Sequence, residues 1–194
     1  VSGGDYHTCG LTTVGAAHCW GFTNRAGFFG ANPTALSGGL TFTSVESGND
    51  QSCGVATTGV LYCWGDNFYG ELGNGSNVSS LTPTPVAGNL TFTKVGPGYL
   101  HSCGLVASGA IYCWGLNGNG QLGDGTTASS FTPVLVQGGL TFATVTGGRY
   151  HSCGLTAAGA AYCWGLNGSG QLGDGTTSDA ATPVAVAGNL TFAR

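Results

Sequence analysis

Charged residues are scarce in this 194-residue chain, where Asp, Glu, Lys and Arg make up 6%, against roughly 25% in ordinary soluble domains. Only Arg25, Lys94, Arg149 and Arg194 are basic, and the formal net charge is −4. Proteins that bind nucleic acid or anionic membrane surfaces neutralise phosphates with clusters of Lys and Arg. The sequence has no such cluster, so both kinds of binding are excluded.

Long apolar runs and helical patterns are also missing. No run approaches the roughly 18 residues that suggest a membrane-spanning helix, and no segment keeps the periodicity of an amphipathic helix. Methionine is absent, whereas glycine occurs 38 times. Hydrophobic residues still make up 41% of the chain, which is too many for a disordered protein. Many short strands separated by glycine turns fit this composition.

A segment with two cysteines ten positions apart, followed by Trp-Gly, occurs four times. The last copy reads CGLTAAGAAYCWG from Cys153, and a glycine between two short apolar runs indicates a β-hairpin. A turn at 157–159 places Cys153 opposite Cys163, where Cα atoms about 4.5–5.5 Å apart suit a disulfide. We therefore predict four local disulfides: Cys9–Cys19, Cys53–Cys63, Cys103–Cys113 and Cys153–Cys163.

The alternative for eight cysteines is zinc. Zinc sites usually use close pairs such as C-x2-C, and nine intervening residues on a hairpin do not resemble that spacing. Paired cysteines indicate an oxidising compartment, so we expect an extracellular or cell-surface protein. The chain starts at Val1 without Met or a signal peptide, which indicates a processed chain or an excised unit.

Each full repeat has four strand-like segments. In the third and fourth copies they include the alternating segment 140–145, the two arms of the cysteine hairpin, and a segment such as 132–136, which has proline near its start. Four short strands per repeat are typical of a propeller blade. We predict an all-β domain, 1–194, of four blades with four antiparallel strands each. The approximate repeats are 1–44, 45–94, 95–144 and 145–194.

The fourth copy also carries GRYHSCGL at 148–155, Trp164-Gly165, Asn167, and GQLGDGT at 170–176. This pattern resembles the repeat of the regulator of chromosome condensation family, over the whole chain. The second copy has Gln51 for His and Glu71 for Gln, and the first departs strongly after Trp20. The resemblance implies a β-propeller, commonly of seven blades. It implies no single activity, because the family includes a nucleotide-exchange factor, inhibitors of bacterial enzymes, and extracellular repeats, which the cysteine pairs resemble best.

The chain ends continue one another in register, because aligning Arg194 with Lys94 places Val1 on Val95. Four blades are fewer than this family usually needs for a ring, and unpaired edges invite association. We therefore expect the Val1 and Arg194 edges to contact another copy. Two chains would make an eight-bladed ring, and many chains, or one longer chain, would make a filament. A closed four-bladed ring is the remaining alternative.

Repeated polar residues are interpreted as structural. His7, His101 and His151 share one repeat position with Gln51, which replaces His as a hydrogen-bonding group but not as a general base. A ring of three histidines for metal is the alternative, although equivalent positions in neighbouring blades are usually too far apart. His18 stands where the other repeats have Tyr and is interpreted as packing.

The Gly-Asp-Gly-Thr segments around Asp124 and Asp174 suit tight turns, whereas calcium would need several convergent carboxylates. The glycine-rich loops 117–125 and 167–175 lack the Gly-Lys-Ser/Thr of a phosphate loop. The four tryptophans are interpreted as blade core, with sugar binding by an exposed ring of them as the alternative. We predict no catalytic residue, no metal and no cofactor.

A functional site should break the repeat, and the loop 22–33 of the first copy does so. The predicted partner contacts are in this loop and in the second copy: Arg25, Phe28, Phe29, Phe68 and Tyr69. The alternative is a loop that is simply shorter.

Sugar attachment is a further hypothesis from the sequence. Five Asn-x-Ser/Thr sequons are candidate N-glycosylation sites: Asn74, Asn77, Asn89, Asn167 and Asn189. The Thr- and Ser-rich segments 126–130, 176–178 and 82–85 are candidates for O-linked sugar.

Two functions fit these observations. The first hypothesis is a non-enzymatic extracellular structural or adhesive protein that self-associates end to end, consistent with low charge and in-register ends. The alternative is a protein-binding propeller that grips a partner with its loop face. Aromatic residues clustered on one loop face favour the binding module, and small Ser/Thr-rich loops favour the structural protein.

Overall fold

Sixteen β-strands in four sheets make up the structure, a computed structural model that describes residues 1–193. The first sheet contains β1 (Ser2–Gly3), β2 (His7–Leu11), β3 (Ala17–Thr23) and β4 (Gly27–Ala35). The second contains β5 (Phe42–Ser47), β6 (Gln51–Ala56), β7 (Leu61–Gly65) and β8 (Ser80–Pro85). The third contains β9 (Phe92–Pro97), β10 (His101–Val106), β11 (Ile111–Gly115) and β12 (Ser130–Leu135). The fourth contains β13 (Phe142–Gly147), β14 (His151–Thr156), β15 (Ala161–Gly165) and β16 (Ala180–Ala185).

Within every sheet the strands follow chain order and pair antiparallel, so each sheet is one blade with an innermost and an outermost strand. The described residues contain no helix, and the four sheets do not close into a barrel. The predicted all-β fold of four four-stranded blades is confirmed. The later blades begin at Phe42, Phe92 and Phe142, about three residues before the approximate repeat boundaries.

The cysteine hairpins have the register that the sequence predicts. In the third blade Cys103 faces Cys113, and Leu105 faces Ile111. Gly109 in the turn has φ +85°, a conformation that favours glycine. The same four cysteine pairs are disulfide-bonded, with Cα atoms 4.0–4.2 Å apart.

The hydrophobic core lies between neighbouring blades. One cluster joins Leu61 and Leu72 of the second blade to Phe92 and Trp114 of the third. Trp114 is fully buried, and its indole N–H donates a 2.8 Å hydrogen bond to the carbonyl of Glu71 in the preceding blade. This junction therefore buries apolar surface and satisfies the indole N–H.

Glycines directly after the innermost strands allow neighbouring blades to approach closely. A Cβ on Gly48 would lie 2.4 Å from the carbonyl oxygen of Gly98, and one on Gly98 would lie 2.6 Å from that of Gly148. The same carbonyls accept hydrogen bonds from the backbone of Asn49 at 3.3 Å and of Tyr99 at 3.1 Å. A side chain at these glycines would separate the blades.

The outermost strands carry proline. Pro33, Pro83, Pro133 and Pro183 lie in β4, β8, β12 and β16, respectively. Proline lacks the N–H that would pair with an added strand and is typical of protected edges. The outer rims of the blades are therefore poor sites for sheet extension.

The first blade differs where the sequence predicts a loop, and this prediction is wrong. Segment 22–33 is mostly strand, because β3 and β4 extend into a longer hairpin in which Phe22 faces Phe28 and Thr23 faces Gly27. The hydroxyl of Thr23 lies 3.1 Å from both the carbonyl and the backbone nitrogen of Gly27, closing the turn. Residues 24–26 form the tip of this first-blade hairpin.

Candidate functional site

The tip of the first-blade hairpin is anchored on two carboxylates of the second blade. Asp66 Oδ1 accepts hydrogen bonds of 2.8 Å from the backbone N–H groups of Arg25 and Ala26. Asp50 accepts one from the backbone of Asn24 at 3.3 Å and one from its side-chain amide at 2.6 Å. Both carboxylates are 5% exposed, so the hairpin covers them.

These two acids break the repeat. The residues equivalent to Asp50 are Leu100 and Tyr150, and those equivalent to Asp66 are Leu116 and Leu166. Comparison of equivalent positions in the second to fourth copies was the signal that could have identified them. The acids occur only beside the hairpin that they hold.

Arg25 and two aromatic residues come together at this tip. The Arg25 guanidinium lies 4.3 Å from the ring centroid of Phe68, and the Phe68 and Tyr69 rings pack edge to face at 5.0 Å. Cation–π contacts of this kind contribute about 0.5–1 kcal/mol at exposed sites. Phe68 is 52% exposed, which leaves it accessible to a partner.

A second guanidinium stacks on the neighbouring blades. Arg149 lies 4.9 Å from the Tyr99 ring centroid and 5.5 Å from that of Tyr150. The two tyrosine rings pack edge to face at 5.7 Å. We call this set of six residues the loop-face patch: Arg25, Phe68, Tyr69, Tyr99, Arg149 and Tyr150.

A cavity of about 320 Å³ joins the two halves of the loop-face patch. We call it the hairpin cavity. Its lining comprises the polar residues Asn24, Arg25, Asn49, Asp50 and Asp66 and the largely apolar residues Tyr69, Tyr99, Leu100 and Tyr150.

Two larger cavities, of about 550 and 700 Å³, follow the innermost strands. The first is lined mainly by glycine and other backbone groups around 47–49, 97–99 and 147–149. The second is lined largely by Thr and Ser, with Glu46 and Lys94. Both cavities are lined mostly by equivalent positions of successive copies, unlike the hairpin cavity.

Burial raises the pKa values of Asp66 and Glu71, two acids near the tip. The pKa of Asp66 is raised mainly because the carboxyl is desolvated, against the lowering effect of its hydrogen bonds from Arg25 and Ala26. Burial raises the pKa of Glu71 to about 7. Glu71 Oε2 accepts a 2.8 Å hydrogen bond from the backbone of Tyr69, and Oε1 has no partner among the described residues.

The repeated histidines join neighbouring blades. His7 Nε2 lies 2.7 Å from Ser52 Oγ, and His101 Nε2 lies 2.8 Å from Ser152 Oγ. Both serines are fully buried, so neither is placed to attack a substrate. Gln51 instead donates to the carbonyl of His101 at 3.1 Å. These contacts agree with the structural hydrogen bonding predicted for this position.

Burial lowers the pKa of these histidines. The pKa of His101, fully buried, is lowered to about 3, mainly by desolvation and further by His151. The pKa values of His7 and His151 are also lowered by burial. At neutral pH the junctions therefore contain uncharged imidazoles.

The predicted partner contacts separate into three groups. Arg25, Phe68 and Tyr69 meet in the loop-face patch. Phe28 is 61% exposed on the hairpin, opposite Phe22. Phe29 is half-buried, packs against the hydrophobic core of the first junction, and has its ring centroid 6.1 Å from that of His7, so its contact with a partner stays a prediction.

One predicted glycosylation site is wrong. Asn167 is fully buried, and its side-chain amide donates hydrogen bonds to Asp174 and to the carbonyls of Thr176 and Ser178. A glycan on that nitrogen has no space in the fold. Asn77, Asn89 and Asn189 are exposed and Asn74 is half-buried, so these four stay predictions.

Asp124 and Asp174 have the predicted turn geometry. Asp124 Oδ1 accepts a 3.0 Å hydrogen bond from the backbone of Thr126, and Asp174 accepts the equivalent bond from Thr176 at 2.9 Å. Three tryptophans form blade core as predicted, since Trp64, Trp114 and Trp164 are fully buried. Across residues 1–193 no three His, Cys, Asp or Glu side chains group as metal ligands.

The end-to-end contact stays a prediction, because Arg194 lies outside the described residues. The segment before it follows the repeat, since the backbone N–H of Phe192 donates to the carbonyl of Gly159 at 2.9 Å. Phe142 makes the equivalent bond to Gly109 at 2.8 Å. Up to Ala193, no helix has the length and apolar character required to cross a membrane.

Two family models match the chain, and both carry the description regulator of chromosome condensation (RCC1) repeat. One matches residues 58–105, 108–155 and 158–192, and the other matches 42–71, 92–121 and 142–171. No curated protein matches the chain in sequence.

Solved structures share the architecture. Human WBSCR16 is 23% identical with a TM-score of 0.84, over 95% of this chain and 51% of its own. Yeast RCC1 (Prp20), solved bound to Kap60, is 20% identical with a TM-score of 0.83, over 96% and 48%. The ectodomain of the Physcomitrella patens receptor kinase CR4 is 27% identical with a TM-score of 0.57, over 86% and 40%. The chain thus spans about half the length, or less, of these structures.

Proposed function

Since the chain belongs to the family of regulator of chromosome condensation (RCC1) repeats, we propose that it is a non-enzymatic module that binds a partner protein through its loop face. The observation that carries this proposal is the convergence of repeat-breaking residues on the loop-face patch. Phe68 and Tyr69 stand where the third copy has Gly118 and Asn119 and the fourth has Gly168 and Ser169. Residues that serve only to form the blade would be expected to be the same in every copy.

The chemistry of the patch suits protein recognition. Arg, Tyr and Phe are enriched in protein interfaces, and Arg and Tyr dominate the residues that contribute most to binding free energy. Arg25 and Arg149 are exposed and are held against aromatic rings at 4.3 and 4.9 Å. This arrangement lowers the entropy that each side chain loses on binding.

We further propose that the module works outside the cell. The four disulfides are typical of oxidising compartments. One similar structure, the receptor kinase CR4, is described as an ectodomain. Secretion of a tagged form of the protein by its source cells would test this proposal.

Filament formation stays a prediction from the sequence. The prolines of the outer strands disfavour growth through the blade rims, so we expect such a contact to use the faces of the first and last blades. Light scattering of the disulfide-intact protein measures its mass directly, and a monomer at micromolar concentration would contradict self-association.

The binding proposal is tested by capturing extracellular proteins of the source organism on the immobilised, oxidised chain and then measuring Kd for each purified candidate. Phe68→Gly installs the residue of the third and fourth copies, and Arg149→Ala removes the second guanidinium. Each is expected to raise Kd at least tenfold. Leu135→Ala is the matched control, since Leu135 is 51% exposed, lies outside the patch, and has Ala185 as its equivalent. Equal affinity for all variants would overturn the proposal.

A further inference from the structure

The hairpin cavity is made largely by residues that depart from the repeat. Asn24 and Arg25 belong to the hairpin that replaces the glycine-rich loop of the other blades. Asp50, Asp66 and Tyr69 stand where the third copy has Leu, Leu and Asn. The cavity volume of about 320 Å³ lies within the range of small-molecule sites, roughly 300–1,000 Å³. Such convergence is not required to build a blade.

Hydrogen-bond donors and acceptors that lack a partner among the described residues line this cavity. Asp66 Oδ1 is occupied by Arg25 and Ala26, whereas Oδ2 has no partner among the described residues. The Arg25 guanidinium and the hydroxyls of Tyr69, Tyr99 and Tyr150 likewise make no hydrogen bond within 1–193. The cavity therefore offers a carboxylate acceptor, guanidinium donors and hydroxyls that serve as either.

The charges in the cavity oppose each other. Asp50 and Asp66 would repel an anion, and Arg25, which lines the same cavity, would repel a cation. Arg149 adds a second positive charge beside Tyr99 and Tyr150. A neutral ligand that carries both donors and acceptors meets neither repulsion.

The apolar part of the lining consists of flat rings. Tyr69, Tyr99 and Tyr150 contribute three aromatic surfaces, and Leu100 lies with them. The Arg149 guanidinium stacks on two of these rings, which fixes them before any ligand arrives. A pyranose ring has matching surfaces, with C–H groups on its faces and hydroxyls around its rim.

We propose that the hairpin cavity binds a neutral sugar as a single pyranose ring. The tyrosine rings contact the C–H face of the sugar, and Asp66, Arg25 and the tyrosine hydroxyls bond its rim. The inference goes beyond partner-protein binding and does not depend on it, because a free monosaccharide or the end of a glycan satisfies the same groups.

Isothermal titration tests the proposal with the oxidised chain. The probes are glucose, galactose, mannose and N-acetylglucosamine, each with its methyl glycoside, and the charged analogues glucosamine and glucuronic acid. We expect saturable, millimolar or tighter binding of at least one neutral sugar and at least tenfold weaker binding of its charged analogue. Binding of the methyl glycoside identifies a glycan end, and binding of the free sugar alone identifies a monosaccharide; both support the site.

Two variants built from the residues of other repeats locate the binding. Tyr150→Leu and Tyr69→Asn install the third-copy residues and are each expected to weaken binding at least tenfold. Tyr6→Leu is the matched control, because Tyr6 occupies the same repeat position as Tyr150 but lies outside the cavity lining. The proposal is overturned if no neutral sugar binds, if a charged probe binds more tightly, or if Tyr6→Leu weakens binding as much as Tyr150→Leu.

Discussion

Asp66 Oδ1 lies 2.8 Å from the backbone nitrogen of Arg25, in a hydrogen bond that crosses from the second blade to the first. Other blade junctions use the carbonyl of a glycine-rich loop, as Glu71 does for Trp114 and Gln121 for Trp164. The first junction has a hairpin in place of that loop. The Asp66 carboxylate holds the hairpin backbone at this junction, whereas the indole N–H of Trp64 has no partner among the described residues.

Replacement of Asp66 should release the hairpin tip. We expect Asp66→Leu to lower the free energy of unfolding by about 1.5–3 kcal/mol, the range for hydrogen bonds to charged groups. Leucine is the residue of both later copies, so its shape suits the position. Amide hydrogen exchange at Arg25 and Ala26 should accelerate, whereas Asp5→Leu, a change of an exposed acid, should leave it unaltered. Unchanged exchange in Asp66→Leu would show that the carboxylate does not hold the tip.

Glu71 should make the fold sensitive to rising pH. Its pKa is raised to about 7 from 4.5, so the folded state favours the protonated form, and this stabilisation is present below about pH 4.5 and lost as pH rises through 7. Glu71→Gln supplies the neutral group that Gln121 supplies in the next blade. We expect the variant to exceed the wild type by roughly 2 kcal/mol at pH 8, with a smaller difference at pH 5. Urea unfolding at both pH values measures this, and a difference independent of pH would contradict it.

His101 should make the fold sensitive to falling pH. Its pKa is lowered to about 3 from 6.5, so its neutral form contributes stability that is present above pH 6.5 and is lost as pH falls toward 3. His101→Gln, which copies Gln51, should reduce the loss of unfolding free energy between pH 7.5 and 4.5 by roughly 1–3 kcal/mol. His18→Tyr, which installs the residue of the other repeats, is the control. An identical acid sensitivity in wild type and His101→Gln would refute the assignment.

Each disulfide should stabilise its own hairpin. Loss of the Cys103–Cys113 bond in a double alanine variant is expected to lower the free energy of unfolding by about 2–3 kcal/mol, the entropy of closing a loop of about ten residues. Thermal unfolding of the variant and of the wild type measures this difference in the free energy of unfolding. Peptide mapping without reductant should recover only the four hairpin pairs, and any cross-link between different hairpins would disprove this framework.

Sugar attachment should follow exposure. If the chain is expressed in a secretory host, peptide mapping should find glycan at exposed sequons such as Asn89 and Asn189 and none at Asn167. Asn189→Gln should remove one glycan mass, and Asn167→Gln should remove none but should lower stability by breaking the buried amide network. Glycan on Asn167 of correctly folded protein would falsify the burial argument.

The blades were predictable because each physical rule applied four times. Opposed positions in a hairpin follow from simple counting, so the pairing of Cys103 with Cys113 needed no distant contact. Strand edges followed from proline, and the turn at Gly109 followed from its place between two apolar runs. Local patterns therefore determined the four sheets.

The site was less predictable, because it depends on contacts between blades. Asp50 and Asp66 occur 16 positions apart, and no local pattern shows that a hairpin more than 20 residues upstream covers them. The sequon at Asn167 indicates an exposed site, although three acceptors 7, 9 and 11 residues further along the chain hold its amide in the interior. Phe29 and Phe28 are adjacent, yet strand alternation in an unpredicted hairpin sends only Phe28 outward.

The glycines after the innermost strands affect how the sequences of the repeats can diverge. A Cβ on Gly4, Gly48 or Gly98 would collide with a carbonyl oxygen of the following blade. The spacing of the blades, and with it the curvature of the row, therefore depends on positions that have no side chain. Duplication of a copy preserves that curvature, while the exposed loop residues remain free to change. New binding specificities can therefore accumulate on the loop face of one copy without altering the shape that presents them.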